Sequence, residues 1–298
     1  MKAFVECIPC VFLQALNASK NITTEEEKLV EIQHDIMRLI PALSIDMTPA
    51  EFSYMVLKEV YKRCKDGDPF ASEKRRSNDL ILGLYDRLCK IIDYSAITSL
   101  TALKIAVAGN IIDLGIKDDY DVSEIMRKAV NESLKIDDSE NFFEDIKNAK
   151  NILYITDNAG EIVTDKLFIK FLNRKGITTA VKSRPLLNDA TMKDAEYIGM
   201  SEVANVIETG SGMLGTILSD CGKEFIEAYN NSDMVIAKGQ ANFEALDAVQ
   251  KNIYFLFTVK CNTIAKRFGA KIDDLIVYKA EKAKKKREHS VTENRRQK

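Results

Sequence analysis

The sequence predicts an α/β fold: a three-layer α/β/α domain with a mostly parallel, Rossmann-like sheet, together with an all-helical N-terminal subdomain. Two patterns indicate this. After about residue 148, short apolar runs of strand character alternate with helical patterns, which is typical of right-handed βαβ crossovers in a parallel sheet. Before about residue 145, apolar residues recur at three- and four-residue spacing, and strand signals are absent.

The N-terminal half is predicted to contain six helices. The third has the clearest start, because Thr48 suits the N-cap, Pro49 the first helical position and Glu51 the third. The polar region 137–150 is predicted to contain the boundary between the helical part and the α/β part. The predicted units are a helical subdomain 1–147, an α/β domain 148–280 and a basic, disordered tail 281–298. The predicted helices cover residues 11–19, 25–40, 49–64, 73–92, 96–114 and 122–135.

Six apolar runs in the second half are predicted strands. Each of the first five ends in polar residues that lead into a helical pattern. Because the carboxyl ends of parallel strands lie at one edge of a sheet, these polar residues are expected to converge on one crevice. The runs cover residues 152–155, 178–182, 203–208, 234–237, 253–259 and 275–278, and the converging residues are Asp157, Asn158, Asp189, Lys238 and Asn242.

The chemistry of these strand ends indicates a metal-assisted phosphate site. Asp157 and Asn158 offer hard oxygen ligands that suit Mg²⁺ or Mn²⁺, and Asp189 adds a second carboxylate. Lys238 would supply a positive charge for phosphate oxygens. For Asp157 and Asn158 alone, the alternative is an Asx turn that caps the following helix.

Composition excludes several classes of function. A net charge of −2 over 298 residues favours neither nucleic acid nor membrane, and no apolar run approaches the roughly 18 residues of a membrane span. The early Glu6 and the lack of a long apolar segment argue against a signal peptide, so a cytoplasmic protein with reduced cysteines is expected. With two histidines, a His-based triad and a three-His zinc site are excluded. The basic run 284–287 is expected to be solvated rather than bound to nucleic acid.

Two further motifs leave alternatives open. Cys7 and Cys10 form a CxxC, which fits half a zinc site, a redox pair or simple packing at a helix start. Soft thiolates are poor partners for a hard cation, so if the pair is a structural or redox element outside the crevice, its replacement by serine is expected to keep most phosphatase activity. The segment 210–215 matches GxGxxG, and a turn that presents the backbone of Gly210 and Ser211 to a phosphate or sugar is favoured over a dinucleotide site.

Polar residues interrupt the apolar helix predicted at 96–114. Buried polar groups need partners, so these residues either satisfy one another or face the crevice. For Asp113 we favour a structural role. Asn110 is left open between a structural role and contact with substrate.

Taken together, these segments resemble the damage-control phosphatase family, also known as domain of unknown function eighty-nine or acidic-residue-methyltransferase-like. The resemblance covers nearly the whole chain, and the CxxC resembles the prokaryotic branch. It rests on Cys7 and Cys10, on Asp68-Pro69-Phe70 with Lys74 and Asn78, on Ala108-Gly109-Asn110-Ile111-Ile112-Asp113, on Asp157-Asn158-Ala159-Gly160-Glu161 with Asp165, on Asn188-Asp189-Ala190-Thr191, and on Lys238-Gly239-Gln240-Ala241-Asn242-Phe243-Glu244.

The resemblance implies a metal-dependent phosphatase that acts on phosphate monoesters of small metabolites, such as sugar phosphates or damaged phosphometabolites. It implies one divalent ion (Mg²⁺, Mn²⁺, Co²⁺ or Ni²⁺) held by Asp157, Asn158 and Asp189. Lys238 and Asn242 fall where the family contacts phosphate, and Glu161 matches an acidic position near the substrate.

Two residue roles and two other functions remain open alongside this expectation. Glu161 and Asp189 are candidates for the general base. Arg184 stands where related sequences tend to have small glycines, so its guanidinium is expected to alter substrate choice. The competing functions are a non-enzymatic metal- or nucleotide-binding module and, less favoured, a carboxyl methyltransferase.

Overall fold

The structure is a computed structural model that describes residues 1–64, 67–111 and 122–280. Its centre is a seven-stranded sheet with the order β1-β7-β6-β5-β2-β3-β4. Asp113 and the predicted tail 281–298 lie outside the described residues. The strands are β1 Ile136–Asp137, β2 Ile152–Ile155, β3 Ile177–Val181, β4 Asn205–Glu208, β5 Met234–Lys238, β6 Ile253–Thr258 and β7 Leu275–Lys279.

The sheet is mostly parallel, as predicted. Strands β2 to β6 run in one direction, whereas β7 is antiparallel to β6 and β1 is parallel to β7. Strand β1 was not predicted from the sequence. Its two residues are too few to show the alternation that marks a strand.

The described residues that precede β2 form eight α-helices. The segment predicted as one helix over 73–92 is two helices that meet at Gly83 and Leu84, because glycine is a poor helix former and allows the chain to turn there. The predicted capping box is confirmed: Glu51 N–H donates to the Thr48 hydroxyl, and Thr48 N–H donates to the Glu51 carboxylate. These helices are α1 Cys7–Lys20, α2 Glu26–Met37, α3 Pro49–Tyr61, α4 Ala71–Gly83, α5 Tyr85–Asp93, α6 Thr98–Ala108, α7 Val122–Asn131 and α8 Ser139–Asn148.

Both faces of the sheet are covered by helices, which confirms the predicted three layers. Along β2, Ile152 and Tyr154 join one apolar cluster with residues of α4 to α10. Leu153 and Ile155 join the opposite cluster with α11, α12 and α13, because successive strand residues point to opposite faces. The remaining helices are α9 Glu161–Leu172, α10 Met192–Tyr197, α11 Lys223–Asn231, α12 Gln240–Leu246 and α13 Asn262–Phe268.

Helices α1, α2 and α3 pack around a separate apolar cluster, to which Leu186 contributes from the α/β part. Helices α4 to α8, in contrast, share their cluster with the sheet. The predicted boundary between residues 147 and 148 stays a prediction. In the described ranges, no helix combines the length and the apolar character that a bilayer crossing requires.

The order of the strands identifies where a ligand site would lie. From β2 the chain proceeds outward through β3 and β4, whereas β5 lies on the other side of β2 and leads to β6. The direction of winding therefore reverses between β2 and β5, and in open α/β sheets the crevice at such a switch point is where ligands bind. Asp157 follows β2, and Lys238 is the last residue of β5.

Candidate active site

Two loops at this edge of the sheet are tied together side by side. Asn158 and Asp189 form an isolated antiparallel bridge. Ala159 N–H donates to the carbonyl of Asn188, and Ala190 N–H donates to the carbonyl of Asp157, each at 2.8 Å. The loop after β2 and the loop after β3 thus place the three predicted metal ligands at one position.

The Asp157 carboxylate is fixed from three directions. Its Oδ2 accepts hydrogen bonds from the side-chain amides of Asn110 and Asn158, both at 2.8 Å. Gly239, with φ of +81°, approaches so closely that a Cβ there would lie 1.9 Å from the same oxygen. The turn after β5 therefore requires glycine, both for its backbone conformation and for the space that Asp157 occupies.

Burial raises the pKa of Asp157 well above its ordinary value. The neighbouring carboxylates of Glu161 and Asp189 raise it further, while Lys260 and the bond from Asn110 oppose the shift. Burial and neighbouring carboxylates favour the protonated, neutral form of this carboxyl, whereas a bound cation favours the ionised form.

Behind Asp157 lies a buried ion cluster on α9. Lys238 Nζ donates to Glu161 at 2.7 Å, to Asp165 at 2.6 Å and to the carbonyl of Ala106 at 2.7 Å. Burial lowers the pKa of Lys238, but the carboxylates of Asp165 and Glu161 outweigh burial, and the net shift is upward. Burial raises the pKa of Asp165 to about 6.

Asp165 was not among the predicted site residues. It lies four residues after Glu161, so both carboxylates project from one face of the buried helix α9. An acidic pair at that spacing, on the face of the helix that is otherwise buried and apolar, is the signal that the sequence offered.

Asn110 connects this cluster to Asp157. Its amide nitrogen donates to Asp157 and to Glu161, both at 2.8 Å, and its amide oxygen accepts from the hydroxyl of Thr258 at 3.1 Å. The side chain is fully buried. These hydrogen bonds of Asn110 are all internal, and Thr258, at the end of β6, is a supporting residue that sequence reasoning missed.

A cavity of about 680 Å³ opens at this edge of the sheet. Asp157, Asn158 and Asp189 lie on its wall, together with Lys260 and Lys266. Further lining residues come from α1 and the residue before it, from α3 and α12, and from the segment after β6. They include Glu6, Cys7, Cys10, Gln14, Pro49, Ser53, Gln240, Ala241, Glu244, Cys261, Asn262 and Thr263.

Cys7 and Cys10 do not lie outside the crevice, which was one of the alternatives left open for this pair. Both line the cavity, because α1 packs over the edge of the sheet and its first turn faces the loop that carries Cys261. Burial raises the pKa of both thiols; Glu244 and Cys261 add to the rise for each. Both thiols are therefore more fully protonated than ordinary cysteines, which does not favour a thiolate nucleophile.

Several predicted site residues lie behind the cavity wall or away from it. Glu161, Lys238 and Asn110 are in the buried cluster, and Asn242 donates its amide protons to the carbonyls of Thr156 and Lys238. Their contact with substrate stays a prediction, and for Lys238 it would require the loss of one of three hydrogen bonds.

The loop residues Arg184, Gly210 and Ser211 do not line the cavity either. Exposed Arg184 lies against Gly212, where an added Cβ would be 2.9 Å from its side chain. Gly210 N–H donates to the hydroxyl of Ser183 at 2.6 Å, and the Ser211 hydroxyl donates to Asp220. These bonds hold the GxGxxG turn to its neighbouring loops, and substrate contact by all three residues stays a prediction.

The residues on the cavity wall fit a hard divalent cation. Asn158 turns its amide nitrogen toward Asp157 and Glu161, which leaves its amide oxygen for a ligand in the cavity. Together with the carboxylates of Asp157 and Asp189, this gives an all-oxygen donor set. Within the described ranges, no three His, Cys, Asp or Glu side chains converge in an arrangement suited to a metal.

Residues 3–276 match the family model described as the damage-control phosphatase ARMT1-like domain. The chain is 33% identical over 279 residues to a damage-control phosphatase of Pyrococcus horikoshii, with 89% of this chain and 94% of the relative covered. It is 29% identical over 286 residues to a damage-control phosphatase of Archaeoglobus fulgidus, and the alignment covers 93% of this chain and 98% of the relative.

Two further likenesses agree with this match. An uncharacterized protein of Methanocaldococcus jannaschii is 32% identical over 286 residues, which cover 92% of this chain and 94% of the relative. A crystal structure of a DUF89 family protein of Pyrococcus horikoshii aligns with a TM-score of 0.87 at 30% identity, and the alignment covers 94% of this chain and all of that one.

Proposed function

This chain belongs to the damage-control phosphatase ARMT1-like family, and on that premise we propose that it is a metal-dependent phosphatase acting on phosphate monoesters of small metabolites. The observation that supports this most is the position of Asp157, Asn158 and Asp189. Three oxygen-bearing side chains from two strand ends meet on the wall of one cavity at the switch point of the sheet.

In this proposal, Asp157, Asn158 and Asp189 hold one divalent cation. When bound, such a cation supplies charge neutralisation for phosphate oxygens and acidifies a water molecule. The amide protons of Asn110 and Asn158 keep the Asp157 carboxylate in one orientation. Lys238 in turn holds Glu161, which accepts from the same two amides. The buried cluster thereby determines where the Asp157 oxygens point.

Lys260 is the residue that we propose to contact the phosphate. Lys260 lines the cavity. Its positive charge lowers the pKa of Asp157, although burial has the larger, opposite effect, so Lys260 lies near enough to interact with that carboxylate. Lys238 was predicted for this role, but its three protons are engaged inside the protein. We propose that Lys238 acts through Glu161 and Asp165 instead.

The two candidates for the general base differ in their access to the cavity. Asp189 lies on the wall, 3.7 Å from Lys182 Nζ. Glu161 is fully buried, and both its oxygens accept hydrogen bonds from Lys238, Asn110 and Asn158. Of the two, Asp189 is therefore better placed to take a proton from a group in the cavity.

A substrate screen tests the proposed function. EDTA-treated protein is assayed for phosphate release from p-nitrophenyl phosphate and a panel of sugar phosphates, with Mg²⁺, Mn²⁺, Co²⁺ or Ni²⁺ restored. We expect release that depends on added metal and disappears in Asp189→Asn. A protein that releases no phosphate with any metal would instead be a metal- or nucleotide-binding module.

A further inference from the structure

Helix α4 contacts both loops that carry the proposed metal ligands, and we propose that Asn78 is the positioning residue that sets their separation. This inference rests on the proposed function, because it concerns how Asp157, Asn158 and Asp189 are held. Asn78 is fully buried, does not line the cavity and is remote in sequence from both loops.

Asn78 makes one hydrogen bond to the loop after β2 and one to Asp194, the third residue of α10, which follows the loop after β3. Its amide oxygen accepts from Gly160 N–H at 2.7 Å, two residues after Asn158. Its amide nitrogen donates to Asp194 Oδ1 at 3.1 Å. The backbone N–H can be satisfied only by the amide oxygen, so these partners also fix which end of the amide faces which loop.

Asp194 connects Asn78 to the loop that contains Asp189. Its Oδ2 accepts from the backbone N–H of Thr191 at 2.9 Å and from the Thr191 hydroxyl at 2.7 Å. Thr191 lies two residues after Asp189. Lys74, one turn before Asn78 on α4, adds an ion pair to Asp194 at 2.8 Å and another to Asp68 at 3.0 Å.

The geometry therefore links the two loops through one carboxamide. Gly160 has φ of +77°, and a Cβ there would lie 3.0 Å from the side chain of Ser77, so α4 and the first loop are in close contact. Loss of a residue that orients metal ligands from behind typically costs 10- to 100-fold in metal affinity or activity. We expect a loss of that size when Asn78 no longer bridges the loops.

A reciprocal exchange of the two side chains tests this role. Asn78→Asp alone places two acceptors against each other, and Asp194→Asn alone places two amide nitrogens against each other. The double variant restores the pattern, because the carboxylate introduced at position 78 can accept from Gly160 N–H and from the amide introduced at position 194. The oxygen of that new amide still accepts from Thr191 and Lys74. Asn78→Ala removes the bridge without creating repulsion.

The measured quantities are the Mn²⁺ dissociation constant by calorimetry, the Mn²⁺ concentration for half-maximal phosphate release, and the melting temperature. We expect each single variant to bind Mn²⁺ 10- to 100-fold more weakly and to regain kcat at saturating Mn²⁺. The double variant should return to within about threefold of wild type. Asp79→Asn, an exposed change on the same helix that contacts Tyr197 and Arg75, serves as the control and should change nothing.

The outcomes separate this inference from the function on which it rests. Wild-type affinity in folded Asn78→Ala, or a double variant no better than its parents, overturns the positioning role while the phosphatase proposal stands. If the single variants do not fold, recovery of both folding and Mn²⁺ affinity in the double variant supports the role, and its failure to recover overturns it. Wild-type protein that binds no Mn²⁺ overturns both proposals.

Discussion

At the scale of single residues, the carboxylates of the cavity wall depend on buried neighbours. Asp157 takes its orientation from Asn110 and Asn158, and these amides also contact Glu161. Lys238 pairs with both Glu161 and Asp165. Because one lysine faces two carboxylates there and Asp157 adds a third nearby, a cation bound at Asp157 would reduce the repulsion among these carboxylates.

Asp157→Asn is expected to abolish metal-dependent turnover without loss of apo stability. The folded-state pKa of Asp157 is raised, so ionisation of this carboxyl opposes folding near neutral pH, and the neutral amide removes that cost. The amide oxygen can still accept from Asn110 and Asn158. Thermal unfolding in EDTA should show an unchanged or higher melting temperature, and a fall of more than a few degrees would identify Asp157 as a structural cap.

Glu244→Gln tests the pH dependence of stability. Burial raises the pKa of Glu244 from 4.5 to about 7. The folded protein therefore keeps this proton between those values while the unfolded chain loses it, so the free energy of unfolding falls as the pH rises through the window, by on the order of 3 kcal/mol in total.

Denaturant unfolding of apo protein between pH 4.5 and 7.5 checks this expectation. The fall of the unfolding free energy with rising pH should become smaller in Glu244→Gln. It should persist in Glu224→Gln, because Glu224 is an exposed residue on α11. Equal slopes in wild type and Glu244→Gln would show that Glu244 keeps an ordinary pKa.

At the scale of elements, the ends of the strands were predictable from the sequence, but the helix contacts that hold the loops after these strands were not. Apolar runs that end in polar residues indicated where β2, β3, β5 and β6 stop, and so placed Asp157 and Asp189 at one edge. The contacts of α4 with Gly160 and Asp194 span 82 and 116 residues of sequence. No local pattern encodes such contacts.

Gly239→Ala is expected to disrupt the site at the end of β5. Its φ of +81° disfavours a side chain, and the new methyl group would displace the Asp157 carboxylate. Backbone strain alone costs about 1–2 kcal/mol, and Mn²⁺ affinity should fall together with stability.

Gly83→Ala is the matched control, because a Cβ at that helix end meets open space. It should leave Mn²⁺ affinity unchanged and stability equal or up to about 1 kcal/mol higher. Normal Mn²⁺ affinity in Gly239→Ala would mean that Asp157 does not need its present position.

At the scale of the whole molecule, the cavity forms where the α1–α3 cluster meets the edge of the sheet. The sequence predicted a helical N-terminal part and an α/β part, but it could not show that the first turn of α1 closes the crevice. That arrangement depends on tertiary contacts such as Leu186 within the α1–α3 cluster. For the same reason the sequence could not show that Cys7 and Cys10 line the cavity.

Cys7→Ser combined with Cys10→Ser tests the role of the two thiols that line the cavity at the start of α1. Soft thiols are poor ligands for a hard cation, so we expect wild-type Mn²⁺ affinity and most of kcat, with a changed KM because the wall faces the substrate. Steady-state kinetics and Mn²⁺ titration of the double variant provide the measurement. A folded double variant that no longer binds Mn²⁺ would place the thiols among the metal ligands.

We propose that Asp157, Asn158 and Asp189 hold one cation on which phosphate hydrolysis depends. The most direct test is a titration of Mn²⁺ into EDTA-treated protein, with bound metal and phosphate release from one active substrate measured on the same samples. We predict one Mn²⁺ per chain, release that rises in proportion to occupancy, and loss of both in Asp157→Asn. Phosphate release by fully metal-free protein, or undiminished Mn²⁺ binding by Asp157→Asn, would contradict the claim.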